Sequence, residues 1–339
     1  MKNKSPSNNE KERIIEEAQK LLEERGRKPL EMARKAILEE EIESKEVKEA
    51  LHYFITEYWH DLARPTLMSI CCEAVGGDPN ATVPFAVPLS LISGALDIQD
   101  DIIDQSKTKH GRPTVYGRYG KEIAILAADA LLFKGFTLLH EACAEIPKEK
   151  AEKIMRTIKN LFYELGDAEA LELNLRGKLD VTPDEYLNII NKKAADVEAH
   201  TRIGAILGNA TREEEEKLAG YGRLLGRLII IRDDVEDLLD IKEAQHRIEK
   251  ENLPLPVVYT LAIKQNFCIE RKIYPGKKVS QKVVKTFIDE IKKSQGFKLT
   301  ENYMEQITQE ALSHIRGLRN NFYLRLFLLD FLSFPIRIS

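Results

Sequence analysis

Two acidic clusters carry the chemistry this chain can be read for: DIQDDIID at Asp97–Asp104 and RDDVED at Arg232–Asp237. Each contains the spacing DDxxD, as Asp100-Asp101-x-x-Asp104 and as Asp233-Asp234-x-x-Asp237. Each lies in an apolar segment of helical length rather than in a polar tail. On a helix, residues at i and i+4 share a face, so the carboxylates of each cluster crowd together. Like charges at that spacing repel, and folding gains nothing from them. A divalent cation offsets the repulsion. One or two carboxylates, with water and phosphate oxygens completing an octahedron, describe a Mg²⁺ site. Two such faces turned toward each other would hold several Mg²⁺ around one diphosphate. A pair of solvated acidic faces is the plainer alternative, and the recurrence of the motif among Leu and Ile weighs against it.

The elements that must position these clusters are helices. Residues 1–9 are polar and read as a disordered N-terminus. From Glu10 to about Trp59, apolar residues recur at helical spacing among Glu, Lys and Arg. Residues 64–77 form an apolar helix stopped by Gly76-Gly77-Asp78-Pro79. Residues 83–104 form the helix of the first cluster, with Pro88 predicting a kink or a late start. Gln105–Thr114 is a polar, basic loop. Helices follow over 120–145, 149–176 and 183–209. The last begins at a capping signature, Thr182-x-x-Glu185, with Pro183 in the first helical position. Residues 212–240 carry the second cluster, and the Glu213–Glu216 run suits the positive end of that helix. Further helices are predicted over 254–265, 280–294 and 300–332. Period-two stretches and tandem repeats are missing. The fold class is therefore all-α: a single large helical bundle around a central cavity, spanning residues 10–339, with no Pro/Gly/Ser-rich linker to divide it.

Composition excludes several classes. The chain has 339 residues, 43% of them hydrophobic and 31% charged, with a net charge of −4. That balance fits a soluble globular protein and gives no basic field for nucleic acid. The N-terminal sequence lacks the apolar stretch of a signal peptide, and no uninterrupted apolar run approaches the ~18–20 residues of a membrane span. Cys71, Cys72, Cys143 and Cys268 show neither metal spacing nor a plausible disulfide framework, which points to a reducing, cytoplasmic location.

Taken together and in order, these motifs resemble the trans-isoprenyl diphosphate synthase, or polyprenyl synthetase, family. The resemblance covers roughly residues 45–335. It rests on Arg64-Pro65, the GGDP at Gly76–Pro79, DDIID at Asp100–Asp104 and GRPTVY at Gly111–Tyr116. It continues with AILAADALL at Ala124–Leu132, Lys192-Lys193, YGRLLG at Tyr221–Gly226 and RDDVED at Arg232–Asp237. The resemblance implies the isoprenoid synthase fold and a Mg²⁺-dependent prenyltransferase. An allylic diphosphate would ionise between the two aspartate faces with about three Mg²⁺. Isopentenyl diphosphate would then attack the allylic cation, and a proton would pass to the released diphosphate. Asp100, Asp101, Asp104, Asp233, Asp234 and Asp237 map onto the family's metal positions, and Lys193 onto a lysine that contacts the departing diphosphate. Arg64, Lys109, His110 and Arg112 would hold the isopentenyl diphosphate. The family pairs two protomers, so a homodimer is expected.

The departures from the family cluster in the isopentenyl half. The usual GGKxxRP reads Trp59-His60-Asp61-Leu62-Ala63-Arg64-Pro65, with an acid in place of the lysine. An arginine pair becomes Lys109-His110, one permanent cation and one pH-dependent one. Ala194 replaces a threonine, Glu169 and Glu172 replace a Gln and an Asp, and Ile229-Ile230 replace Phe-Gln. The segment after the second cluster is short, with Lys242 or Lys250 as substitutes for a family lysine. Trp59 reads equally as a core anchor or a site residue, and Asp97 extends the acidic face. Two rival readings follow: a class I terpene synthase that needs no isopentenyl site, and a non-catalytic subunit of a heteromeric synthase. Retention of all six aspartates argues against the second. Leu91, Ile92, Ala95 and Leu96 put no aromatic floor upstream of the first cluster, so a product of C20 or longer is expected.

Overall fold

A computed structural model describes residues 8–109, 111–263 and 277–333. Among them the structure is all-α, with fifteen α-helices and one sheet of two very short strands. The chain divides into two compact units. The first comprises Met1–Met155, Arg202–Glu215 and Leu318–Asp330; the second comprises Arg156–Thr201, Glu216–Gly317 and Phe331–Ser339.

In the first unit, α1 (Asn8–Leu38) already includes two residues expected to be disordered; residues 1–7 lie outside the described residues. The helical pattern expected through Trp59 is interrupted. The α2 helix (Lys45–His52) starts afresh where Ser44 accepts a hydrogen bond from the Val47 amide, and it runs into a π-helical turn, Tyr53–Tyr58. That turn closes on the Trp59 amide, which donates to the Phe54 carbonyl at 2.8 Å. The α3 helix (Ala63–Ala74) leads through a 3₁₀ turn (Pro79–Thr82) to α4 (Val83–Ile103), the helix of the first cluster. It continues through Pro88 rather than starting there. Residues Phe85–Ala95 are buried, and packing holds the turn from which proline removes a hydrogen bond.

The basic loop forms a small hairpin, β1 (Thr108–Lys109) with β2 (Arg112–Pro113), that sets Lys109 opposite Arg112. A short α5 (Val115–Tyr119) and α6 (Lys121–Ala144) complete this part of the chain. The α4 and α6 helices pack closely. A Cβ on Gly135 would lie 2.7 Å from the Ile92 side chain and 3.0 Å from the Pro88 carbonyl, so only glycine permits the approach. By length and composition α4 and α6 are apolar enough to cross a membrane. For α4 this reflects a core helix, 72% buried over its most apolar window; for α6 the figure is 33%.

Beyond α6 the chain continues as α7 (Lys148–Leu175), α8 (Pro183–Lys193), α9 (Ala195–Leu207) and α10 (Arg212–Leu239). The helix expected over 183–209 is thus two helices broken at Ala194. The predicted capping box is present: Thr182 accepts from the Glu185 amide and Glu185 accepts from the Thr182 amide. Thr211 and Glu214 make the same reciprocal pair ahead of α10. Then come α11 (Ile241–Lys250), α12 (Leu255–Ile263), α13 (Gln281–Lys292), α14 (Gln295–Ile315) and α15 (Phe322–Ser333). The core of the second unit includes Val235, Leu238, Ala244, Ile248, Phe287 and Ile291. It ties α11 to the end of α10, where the second acidic cluster lies.

Candidate active site

The first cluster sits at the C-terminal end of α4. Asp101 points inward and is buried, while Asp100 and Asp104 are half-buried. Lys109, delivered by the hairpin, joins the first two: its Nζ lies 3.1 Å from Asp100 Oδ2 and 2.8 Å from Asp101 Oδ1. Burial lifts the Asp101 carboxyl to about 6 despite this ammonium, and the two carboxylates hold Lys109 well above its usual range. Asp104 ends the helix, its amide donating to the Asp100 carbonyl at 2.8 Å.

Beside this cluster lies a cavity of about 460 Å³ lined by Tyr58, Trp59, Asp97, Asp101, Lys109 and Arg112. Trp59 is both core anchor and site residue. It is 6% exposed and stacks on Phe54 at 5.6 Å between centroids, and its indole N–H donates to Asp97 Oδ2 at 2.9 Å. A Cβ on Gly94 would come within 2.9 Å of Phe54, so α4 admits this aromatic pair only because glycine stands there. Burial, and then the neighbouring Asp101 charge, push the Tyr58 hydroxyl up.

Of the residues expected to hold isopentenyl diphosphate, Arg112 is exposed and donates to the Glu57 carbonyl at 3.2 Å. His110 lies outside the described residues. Arg64 is paired with acids: Nη1 is 2.9 Å from Asp61 Oδ2 and Nη2 is 3.7 Å from Asp97 Oδ1. Asp61 also accepts from the amides of Ala63, at 2.8 Å, and Arg64, at 3.2 Å. The acid that replaces a family lysine therefore caps the start of α3. His60 belongs to a different contact, its Nδ1 lying 2.5 Å from the Arg34 guanidinium; its pKa is lowered by burial and then by that cation.

In the second unit, Asp234 is buried, Asp237 half-buried and Asp233 exposed. The cation here is Arg247 on α11. Its Nη2 is 2.7 Å from Asp234 Oδ1 and 2.8 Å from Asp237 Oδ2, and its Nε donates to Asp237 at 3.0 Å. Burial raises Asp234 to about 7 even so. Sequence reasoning named Lys242 and Lys250 in this stretch and missed Arg247, because it predicted no helix between residues 240 and 254. The signal was present: Asp240 as a cap, then Ile241, Ala244 and Ile248 at helical spacing. Tyr58 was missed too, since a π-helical turn shifts the register from which its direction would be read.

Lys193 closes α8 between Glu169, at 2.9 Å, and Glu172. Two departures from the family, Glu169 and Glu172, are thus its counterions. Arg223 on α10 fixes the surroundings by bonding Glu164 at 2.8 Å, the Asn191 carbonyl at 2.7 Å and Glu198 at 2.5 Å.

The described residues are all-α and carry DDxxD twice, each copy toward the C-terminal end of a long helix. The Polyprenyl synthetase family profile matches residues 44–291, and the chain belongs to that family. It is 34% identical over 183 residues to the short chain isoprenyl diphosphate synthase of Methanothermobacter thermautotrophicus, covering 53% of this chain and 55% of that protein. It is 32% identical over 201 residues to the geranylgeranyl diphosphate synthase of Methanosarcina mazei, covering 59% and 61%. The matched stretches thus span little more than half the length of these relatives. The crystal structure of geranylgeranyl pyrophosphate synthetase from Pyrococcus horikoshii is similar in fold, with a TM-score of 0.82 and 28% identity over 94% of this chain and 98% of that one.

Proposed function

We propose that this chain transfers a prenyl group from an allylic diphosphate to isopentenyl diphosphate, giving a polyprenyl diphosphate of C20 or longer. One observation carries the reading: in each DDxxD copy, two carboxylates of the chain converge on a single cation, Lys109 on Asp100 and Asp101, Arg247 on Asp234 and Asp237. Among the described residues no three His, Cys, Asp or Glu side chains form a ready ligand set. Mg²⁺ takes one or two carboxylates and fills its octahedron with water and phosphate oxygens. The hard carboxylate donors and the buried, proton-seeking Asp101 and Asp234 fit such an ion. The residues proposed to hold it are Asp100, Asp101 and Asp104 on α4, and Asp233, Asp234 and Asp237 on α10. When bound, Mg²⁺ would supply Lewis-acid stabilisation of the leaving diphosphate.

The chain's own residues do the rest. Lys193 stabilises the departing diphosphate, and its glutamate partners hold its ammonium in place. Arg64, Lys109, His110 and Arg112 hold the isopentenyl diphosphate. The allylic C–O bond breaks with its electron pair leaving on the diphosphate, the isopentenyl double bond forms the new C–C bond, and the proton lost goes to the released diphosphate. Product length is proposed from α4, where Leu91, Ile92 and Ala95 put no aromatic side chain one to two turns above the aspartates. The three described cysteines are free thiols, in keeping with a reducing, cytoplasmic location. A homodimer is proposed through α6, which exposes Leu126 (52%) and Phe133 (75%) one heptad apart. Leu126→Glu with Phe133→Glu should turn a dimer into a monomer by light scattering; a wild-type monomer would overturn that part of the reading.

The pairing of Arg64 with Asp61 and Asp97 favours one second reading, a class I terpene synthase that ionises the allylic diphosphate without an acceptor. Mass spectrometry of products from C5, C10, C15 and C20 allylic diphosphates, with and without isopentenyl diphosphate, separates the two. Elongated diphosphates only when isopentenyl diphosphate is present support the proposal. Equal consumption without it, giving a hydrocarbon or an alcohol, overturns it.

A further inference from the structure

Asp97 lies one turn before Asp100 on α4, outside the DDxxD spacing, yet it organises one wall of the cavity. Its Oδ2 accepts from the Trp59 indole at 2.9 Å, and its Oδ1 lies 3.7 Å from Arg64 Nη2. Arg64 is thereby shared between two carboxylates of its own chain, and the two contacts are unequal. Asp61 precedes Arg64 by three residues, is 2.9 Å from it, and is fixed by the amides of Ala63 and Arg64. Asp97 reaches Arg64 from another helix and over a longer distance. An incoming anion can take the Asp97 side of the guanidinium without undoing the start of α3. The carboxylate also opposes that anion directly, because among the lining residues Asp97 and Asp101 offset the charges of Lys109 and Arg112.

We propose that Asp97 is a specificity-determining positioning residue. Its carboxylate occupies the face of Arg64 that the acceptor's diphosphate takes, holds Trp59 at the cavity wall, and sets the acceptor affinity because binding proceeds by exchange of one anion for the other. This rests on isopentenyl diphosphate being the acceptor. The exchange makes and breaks ion pairs only.

The chain supplies its own reporter, since Trp59 is the only tryptophan in the sequence and donates to Asp97. The full-length protein is titrated with isopentenyl diphosphate, without an allylic substrate, while Trp59 emission is followed. Steady-state kinetics are measured for the wild type, Asp97→Asn and Asp97→Glu, with thermal melting to confirm folding. Asparagine keeps an acceptor for the indole and removes the charge. The KM for isopentenyl diphosphate is expected to fall about three- to fivefold, the scale of one partly exposed ion pair. The KM for the allylic diphosphate should stay within about twofold, the emission midpoint should fall by the same factor as the first KM, and glutamate should return both toward wild type. An unchanged or raised KM for isopentenyl diphosphate in Asp97→Asn, or equal changes for both substrates, overturns the proposal while leaving the acceptor reading standing. Should Asp97→Asn not fold, the wild type decides: no emission change at concentrations that saturate turnover overturns it. A response in emission without turnover overturns the acceptor reading, and with it the claim that Asp97 sets acceptor affinity.

Discussion

Lys109 and Arg247 each stand between two carboxylates of a DDxxD copy, and their surroundings set what single substitutions should do. Asp100→Ala and Asp233→Ala are each expected to lower turnover at least about a hundredfold, because each removes a proposed metal ligand. Stability should stay within about 1 kcal/mol, since Asp100 shares its ammonium with Asp101 and Asp233 is exposed. Urea unfolding and turnover at saturating Mg²⁺ measure the two effects, and a variant keeping more than about half of wild-type activity would sink the metal reading. Arg247→Ala behaves differently. It strands Asp234 and Asp237 beside each other, one of them buried, and should cost roughly 3 kcal/mol in chelator. Added Mg²⁺ should restore part of the lost melting temperature; no recovery would mean these carboxylates do not hold the ion. Asp61 accepts from the amides that start α3 and pairs with Arg64, so replacing it with lysine removes those contacts as well as placing a cation there. Asp61→Lys should lose about 1 kcal/mol or more of stability.

At the scale of elements, much was legible because the physics was local. The two aspartate helices, the capping box at Thr182 and the apolar run of α4 all follow from spacing and side-chain type. Misses occurred where tertiary packing decided. The α8–α9 break at Ala194 leaves no glycine or proline in the sequence, and the π-helical turn at Tyr53–Tyr58 has no simple periodic signature. Arg247 becomes visible only once α11 is recognised as a helix packed through Ala244 and Ile248. Ala95 tests α4 directly. It is fully buried in a cluster with Phe54, Leu91 and Leu131. Ala95→Phe is expected to shift products toward shorter chains, at a cost of about 1–3 kcal/mol from overpacking. Product chain lengths by mass spectrometry check this; an unchanged distribution in a folded variant shows that Ala95 does not line the path of the growing chain.

For the molecule as a whole, the buried carboxylates tie stability to both pH and metal. Asp101 is raised from 3.8 to about 6 and Asp234 from 3.8 to about 7. In both cases the folded state holds its proton more tightly than the unfolded chain does. Their contribution therefore favours folding most at low pH, below the unfolded value, and is lost as pH rises through about 6 and about 7. Lys109 and Arg247, both held above their usual range, stay charged throughout and add no slope there. Two consequences follow for the metal-free protein. In chelator, the melting temperature should fall between pH 5.5 and pH 8, by about 1–2 °C for each kcal/mol involved. Mg²⁺ should stabilise the protein more at pH 8 than at pH 5.5, because at the higher pH the carboxylates are ionised and no proton competes for them. Melting curves at the two pH values, with chelator and with saturating Mg²⁺, measure both effects. A larger Mg²⁺ stabilisation at pH 5.5, or none at either pH, would show that the six aspartates are not where this protein binds a divalent ion.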